Sequence, residues 1–194
     1  MSFGTRLLPF GLAAGCVALA LALGDAWAQS PAEKRAEIQK MRADTLAKLY
    51  RIHPAAKAKI GNAYGYAVFS NAGVNLVFMS VAAGRGVARD NRTGRDIYMK
   101  MASGGIGLGL GVKDFRGVFI FRTKKGFTDF VEDGWEGGAH ANAVAKAGDE
   151  GGAAEGAITV APGVELYQLA ENGLALEATL QGTKYFKDDE LNAK

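Results

Sequence analysis

The densest chemistry in this sequence is cationic. Ten bases lie between Arg85 and Lys125 against three acids, Asp90, Asp96 and Asp114, whereas from Asp129 to Lys194 thirteen acids face four bases. The chain is therefore polarised along its length. Guanidinium and ammonium groups in such number suit phosphate, and Arg85, Arg89, Arg92, Arg95, Lys100, Lys113 and Arg116 are the candidate contacts to anionic head groups. Each well-placed base near a membrane surface contributes about 1 kcal/mol, and salt weakens it. Arg85 and Arg89 are four residues apart, which in a strand puts them on one face. Arg92 and Arg95 flank Asn91 and Gly94, a turn where side chains project freely. Lys184 and Lys187, in the acidic half, are expected to contribute little. The same charges have a second reading, in which the basic half neutralises the acidic half within the fold. Nucleic acid is disfavoured as a partner, because the aromatics interleaved with these bases for stacking are limited to Tyr98 and Phe115.

Other chemistries find less support. A hydrolase can be written from Ser103, His140 and Asp133, but Ser103 lies in no G-x-S-x-G elbow and His140 sits in a glycine- and alanine-rich stretch. The chain reads as a non-enzyme. Only His53 and His140 offer imidazole and Cys16 is the single cysteine, which leaves zinc and copper short of ligands and points to no cofactor. The adjacent carboxylates Glu132-Asp133 and Asp188-Asp189 read as solubilising charge. Gly105, Gly107, Gly109 and Gly111 alternate strictly with Ile106, Leu108, Leu110 and Val112, which is the period of a strand. Without a closing Gly-Lys-Ser/Thr or a G-x-G-x-x-G offset, the run is no phosphate loop. Four glycines on one face predict an element packed closely against that face.

These groups need elements to position them. Residues 1–28 read as a signal peptide: Arg6, an apolar run from Leu7 to Leu23 broken by Pro9, then Ala26-Trp27-Ala28 before Gln29. Ala13-Ala14-Gly15-Cys16 resembles a lipobox, so the expected localisation is exported and periplasmic, or envelope-anchored if Cys16 is lipidated. Ser30, Pro31 and Glu33 form a capping box at the head of an amphipathic helix running to about Arg51. Its apolar face carries Ile38, Met41, Thr45, Leu46, Leu49 and Ile52, and bases occupy the rest; it is expected to dock on a sheet. A short second helix follows to about Ile60, so that 29–60 forms one globular unit with 61–194. Strands are expected at 64–69, 73–79, 84–89, 96–101, 106–112 and 117–121, a helix at 124–131 carrying Phe127, Phe130 and Val131 inward, and a hairpin of 164–169 with 174–180 around Asn172-Gly173. The span 137–156 allows a strand plus a loop, and a polar tail is expected from Lys187.

Several of these residues together resemble the SYLF family. They are Tyr66-Ala67-Val68-Phe69, Gly84 with Gly86, the Gly105 to Gly111 repeat, Phe130, Gly151-Gly152, and Tyr167 followed by Asn172-Gly173-Leu174 and Leu176-Glu177-Ala178. The resemblance runs from about Ile60 to the C-terminus and departs where Ala175 stands between two leucines. It implies binding of membrane lipids, phosphoinositides in eukaryotic members, some of which associate with actin. The expected architecture is α+β: an N-terminal amphipathic helix plus a short second helix packed on a curved, mostly antiparallel β-sheet or partial barrel. The expected function is a non-catalytic lipid-binding module of the bacterial cell envelope with anionic membrane lipid as partner. The alternative is a structural or stress-related periplasmic domain whose partner is an envelope protein.

Overall fold

The computed structural model describes residues 29–76, 79–106, 116–137, 156–170, 173–174 and 183–193. The expected signal segment with Cys16, residues 107–112 of the glycine repeat, Lys113, His140, and most of the spans 137–156 and 174–180 lie outside the described residues.

The first helix, α1 (Pro31–Ile52), starts where the sequence requires. The Ser30 side chain accepts from the Glu33 amide at 3.3 Å, and the Glu33 carboxylate accepts from the Ser30 amide at 2.7 Å. The Ser30 amide and the Ser30 hydroxyl, both donating to that carboxylate, hold the Glu33 carboxyl below the usual carboxylate range. Ile38, Thr45 and Leu49 are buried, and Met41 and Leu46 pack partly. Ile52 departs from expectation. It belongs to the apolar stripe but is 39% exposed, because the chain leaves the helix at the next residue and turns into α2 (Ala55–Asn62).

From Gly65 the period switches to two. The described strands are β1 (Gly65–Leu76), β2 (Met79–Asp90), β3 (Asp96–Ile106), β4 (Arg116–Phe121), β5 (Trp135–Gly137), β6 (Ile158–Ala161), β7 (Val164–Ala170), β8 (Gly173–Leu174) and β9 (Thr183–Lys187). Helix α3 (Lys124–Glu132) follows β4, and α4 (Asp189–Asn192) follows β9. All described pairings are antiparallel, in the order β5-β9-β3-β2-β1-β4-β7-β6 with β8 on β7. The result is the expected α+β fold, four described helices on one curled antiparallel sheet.

Four expectations change. The strands expected at 64–69 and 73–79 are one strand, β1, because Ser70, Asn71 and Ala72 keep their ladder partners Arg85, Gly84 and Ala83. A ladder needs backbone groups, not apolar side chains. Strands β5 and β6 flank the glycine- and alanine-rich span, and β9 precedes the expected tail. That tail is itself ordered: Asp188 caps α4 and Leu191 is buried. The helix expected at 124–131 and the β7–β8 pairing, closed at Ala170↔Gly173, agree with the sequence.

The strands alternate between two cores. On one face Phe69, Met99, Phe119, Phe121 and Tyr185 pack against Phe127, Phe130 and Val131 of α3. Ring centroids lie 4.7 Å apart for Phe69 and Tyr185 and 4.9 Å for Phe121 and Phe130. On the other face Val68, Val118, Ile120 and Tyr167 meet Leu49, Ala56 and Ile60, while Val87 meets Ile38 and Leu191. The close approach expected on the glycine face of 105–111 falls mostly on residues outside those described; a separate one occurs at Gly86 of β2, where a Cβ would collide with the Val68 carbonyl oxygen and the Phe69 ring.

Candidate functional site

Register decides which bases meet. Arg85 lies opposite Lys100 across β2–β3 and opposite Ser70 across β2–β1, and Ser70 lies opposite Arg116 across β1–β4. Lys100, Arg85, Ser70 and Arg116 thus form one row across four neighbouring strands, about 4.8 Å per step, on the face that carries α1. Arg116 donates to the Thr45 hydroxyl of α1 at 3.3 Å, fixing the row beside the helix. Lys100 pairs at 3.0 Å with Asp188, whose side chain is 1% exposed. Arg85 is exposed and has no ion-pair partner among the described residues.

β9 extends this row. Phe186 lies opposite Lys100, and Lys184 shares its face two residues away. Both side chains are exposed, Phe186 at 42%, and Lys184 pairs with Glu136 at 3.3 Å. Neither was among the sequence candidates, although the alternation of Thr183 and Tyr185 inward with Lys184 and Phe186 outward is a legible strand signal.

Arg89 is on the same face, as expected, but is committed elsewhere. Its guanidinium donates to Asp96 at 3.0 Å, and the same carboxylate oxygen accepts from Arg42 of α1 at 2.9 Å. Gln39 donates to the other Asp96 oxygen at 3.0 Å and to the Tyr98 hydroxyl at 2.9 Å. The hydrogen bond to Asp96 raises the Arg89 pKa above its ordinary value, and burial raises that of the neighbouring Tyr66. This cluster fastens α1 to the sheet through charge and hydrogen bonds, beside the apolar contact of Ile38 with Val87.

Arg92 and Arg95 are exposed on a stiff turn at the end of the sheet. The Asp90 carboxylate accepts from the Arg92 amide at 2.7 Å and the Thr93 amide at 3.2 Å, and Gly94 closes the turn at φ +72°. Burial pushes the Asp90 carboxyl up, but those bonds, the Thr93 hydroxyl and the Arg95 charge outweigh it and hold it below the usual range. Asn91 ties the turn to α2 through the carbonyls of Ile60 and Ala63, at 2.7 and 3.1 Å. Because Gly65 lies opposite both Asp90 and Phe121, the segment holding Arg122, Lys124 and Lys125 leaves the same end of the sheet.

The structure therefore separates the seven sequence candidates. Arg85, Lys100 and Arg116 come together, Arg92 and Arg95 project from one turn, Arg89 is tied to Asp96, and Lys113 lies outside the described residues. Part of the basic segment also neutralises acids of the C-terminal half, as Lys100 does for Asp188 and Arg122 for Glu165. Ser103 accepts from the Thr183 hydroxyl at 3.1 Å, and Asp133 is exposed at the end of α3. His53 packs against Tyr167 with the rings tilted by 41° and centroids 5.5 Å apart. Among the described residues no three histidine, cysteine or acidic side chains are grouped to hold a metal, and no helix is long and apolar enough to cross a membrane.

Against known proteins, the chain is similar to Beta cell expansion factor A of Aeromonas veronii, with 37% identity over 159 residues. The match covers 82% of this chain and 59% of that protein, so the chain spans well under two thirds of the relative's length. No family model matches the chain.

Proposed function

We propose that this chain is a SYLF-type lipid-binding module of the bacterial cell envelope, exported and non-catalytic, which holds anionic or phosphorylated head groups on its basic face. The observation that carries the reading is the cross-strand row of Lys100, Arg85 and Arg116. Arg85 and Lys100 are directly opposite on neighbouring strands, where like charges repel unless an anion lies between them, and Arg116 stands one strand beyond Ser70. Asp188 relieves Lys100, and Arg85, which has no ion-pair partner among the described residues, stands beside a hydroxyl, Ser70, that can donate to a phosphate oxygen. Arg92 and Arg95 add a second point of contact at the turn, held in place by Asp90 and Asn91.

The test is vesicle sedimentation with phosphatidylcholine alone and with phosphatidylglycerol added. The parent pellets with the anionic vesicles at low salt and releases as salt rises. Changing Arg85, Arg92 and Arg95 together to Gln removes three bases worth about 1 kcal/mol each at the surface, so binding falls by about a hundredfold while the fold is kept. Arg89 is left untouched in this variant, because its loss would unbalance Asp96. A parent that never pellets, or a triple variant that pellets equally well, removes the lipid reading. The internal pairing of Lys100, Arg89 and Arg122 then favours the alternative, a structural or stress-related domain that binds an envelope protein.

A further inference from the structure

Phe186 is one of two large apolar residues, with Ile52, that stand exposed among the described residues. A single exposed apolar side chain is ordinary on a protein surface, and it is the company of Phe186 that sets it apart. Lys184 lies two residues before it on the same face of β9, Lys100 lies opposite it on β3, and Arg85 follows Lys100 on β2. Lys100 is held by the buried Asp188, Lys184 shares an exposed and weak pair with Glu136, and Arg85 has no ion-pair partner among the described residues. An exposed aromatic ring beside such bases on a rigid strand has the composition of a membrane-interface contact, in which the ring enters the boundary of the acyl chains and the bases meet phosphate. The β-sheet presents Phe186 without an ordering cost, because Tyr185 beside it is wholly buried among Phe69, Phe119 and Trp135 and pins the strand.

We propose that Phe186 is the apolar anchor of a membrane-docking face whose cationic rim is Arg85 and the exposed Lys184, with Lys100 between them held by Asp188. The inference rests on the lipid reading above and adds to it an orientation: β9 and the row beside α1 face the bilayer. It also assigns a role to Lys184, whose position in the acidic half of the sequence gave no sign of one.

The two parts of this contact respond differently to salt. Binding through the bases weakens as ionic strength rises, whereas burial of the ring does not. With vesicles of phosphatidylcholine and phosphatidylglycerol, Phe186→Ser therefore weakens binding by about tenfold and leaves its salt dependence unchanged. Phe186→Trp retains binding, and its added indole emission shifts to the blue on the vesicles and is quenched by lipids brominated on the acyl chain. Far-ultraviolet circular dichroism shows both variants folded, since position 186 is exposed. If Phe186→Ser binds as the parent does, or if the added indole stays in water while the Phe186→Trp protein is bound, the anchor is overturned and the charge reading stands alone. A parent that binds no anionic vesicle overturns both.

Discussion

The two faces of this sheet are made by the same strands and are held by different physics. The face under α3 is a continuous aromatic layer in which Phe69, Phe119, Phe121, Phe130 and Tyr185 touch in edge-on and tilted pairs. The face under α1 has its own apolar core, in which Val68, Val118, Ile120 and Tyr167 meet Leu49 and Ile60, but it is bordered by charge. There Arg42 and Arg89 share Asp96, Lys34 pairs with Glu190 at 2.7 Å, and Arg35 donates to the carbonyls of Leu191 and Ala193 at 2.9 and 3.0 Å. Aromatic burial is dry and insensitive to salt and pH, while partly exposed ion pairs contribute little each and respond to both. Both faces supply stability through buried apolar cores, and the face under α1 adds the charged contacts that dock α1 and α4 onto the sheet and that would hold the proposed ligand beside them.

The comparison breaks most readily at its strong side. Phe119→Ala removes a ring with no exposed surface from the centre of the aromatic layer and is expected to cost about 3–5 kcal/mol, read as a lowered urea midpoint. A cost below about 1 kcal/mol would mean that this layer is not what holds the sheet. Gly86→Ala forces a methyl group against the Val68 carbonyl and the Phe69 ring, both of which are fixed, and is expected to cost about 1–3 kcal/mol in the same assay. Neither change touches the basic row, so residual vesicle binding by whatever remains folded should match the parent.

Charge-side changes are smaller and depend on conditions. Asp90 is held below the usual carboxylate range in the folded protein, so its ionised form adds stability above the unfolded pKa near 4. That stability is lost as pH falls through the lower folded value. Asp90→Asn is accordingly expected to cost about 1 kcal/mol at neutral pH, and the difference from the parent should shrink as acid protonates Asp90. Urea unfolding at neutral and acidic pH checks this, and a constant difference would assign the effect to shape and not to charge. The smallest effect on stability, within about 0.5 kcal/mol, belongs to the Arg85, Arg92 and Arg95 triple variant, whose side chains are exposed. Its signature is lost vesicle binding at unchanged stability, the reverse of Phe119→Ala.

Local rules were legible in the chain where the cause is local. Ser30, Pro31 and Glu33 started α1 because a capping box is closed within four residues. Phe127, Phe130 and Val131 fixed the buried face of α3 because their spacing is helical, and Asn91 to Gly94 marked the turn between β2 and β3. The α+β class followed from the switch of period near Gly65. Alternation also placed Arg85 and Arg89 on one face, because a strand has only two.

What no local pattern carries is the order of strands. β9 is far from β3 in the chain, yet pairing with it sets Lys184 and Phe186 beside Lys100 and brings the buried carboxylate of Asp188 to that lysine. The antiparallel register of β2 with β3 and of β1 with β2 and β4 likewise decides that Arg85, Lys100 and Arg116 share a row while Arg89 meets Asp96. The sequence determined α1, α3, the β2–β3 turn, the two faces of each strand and the excess of positive charge, since these depend on neighbours within a few residues. The tertiary structure decided which charges are neutralised and which remain unmatched, because that depends on contacts between residues far apart in the chain.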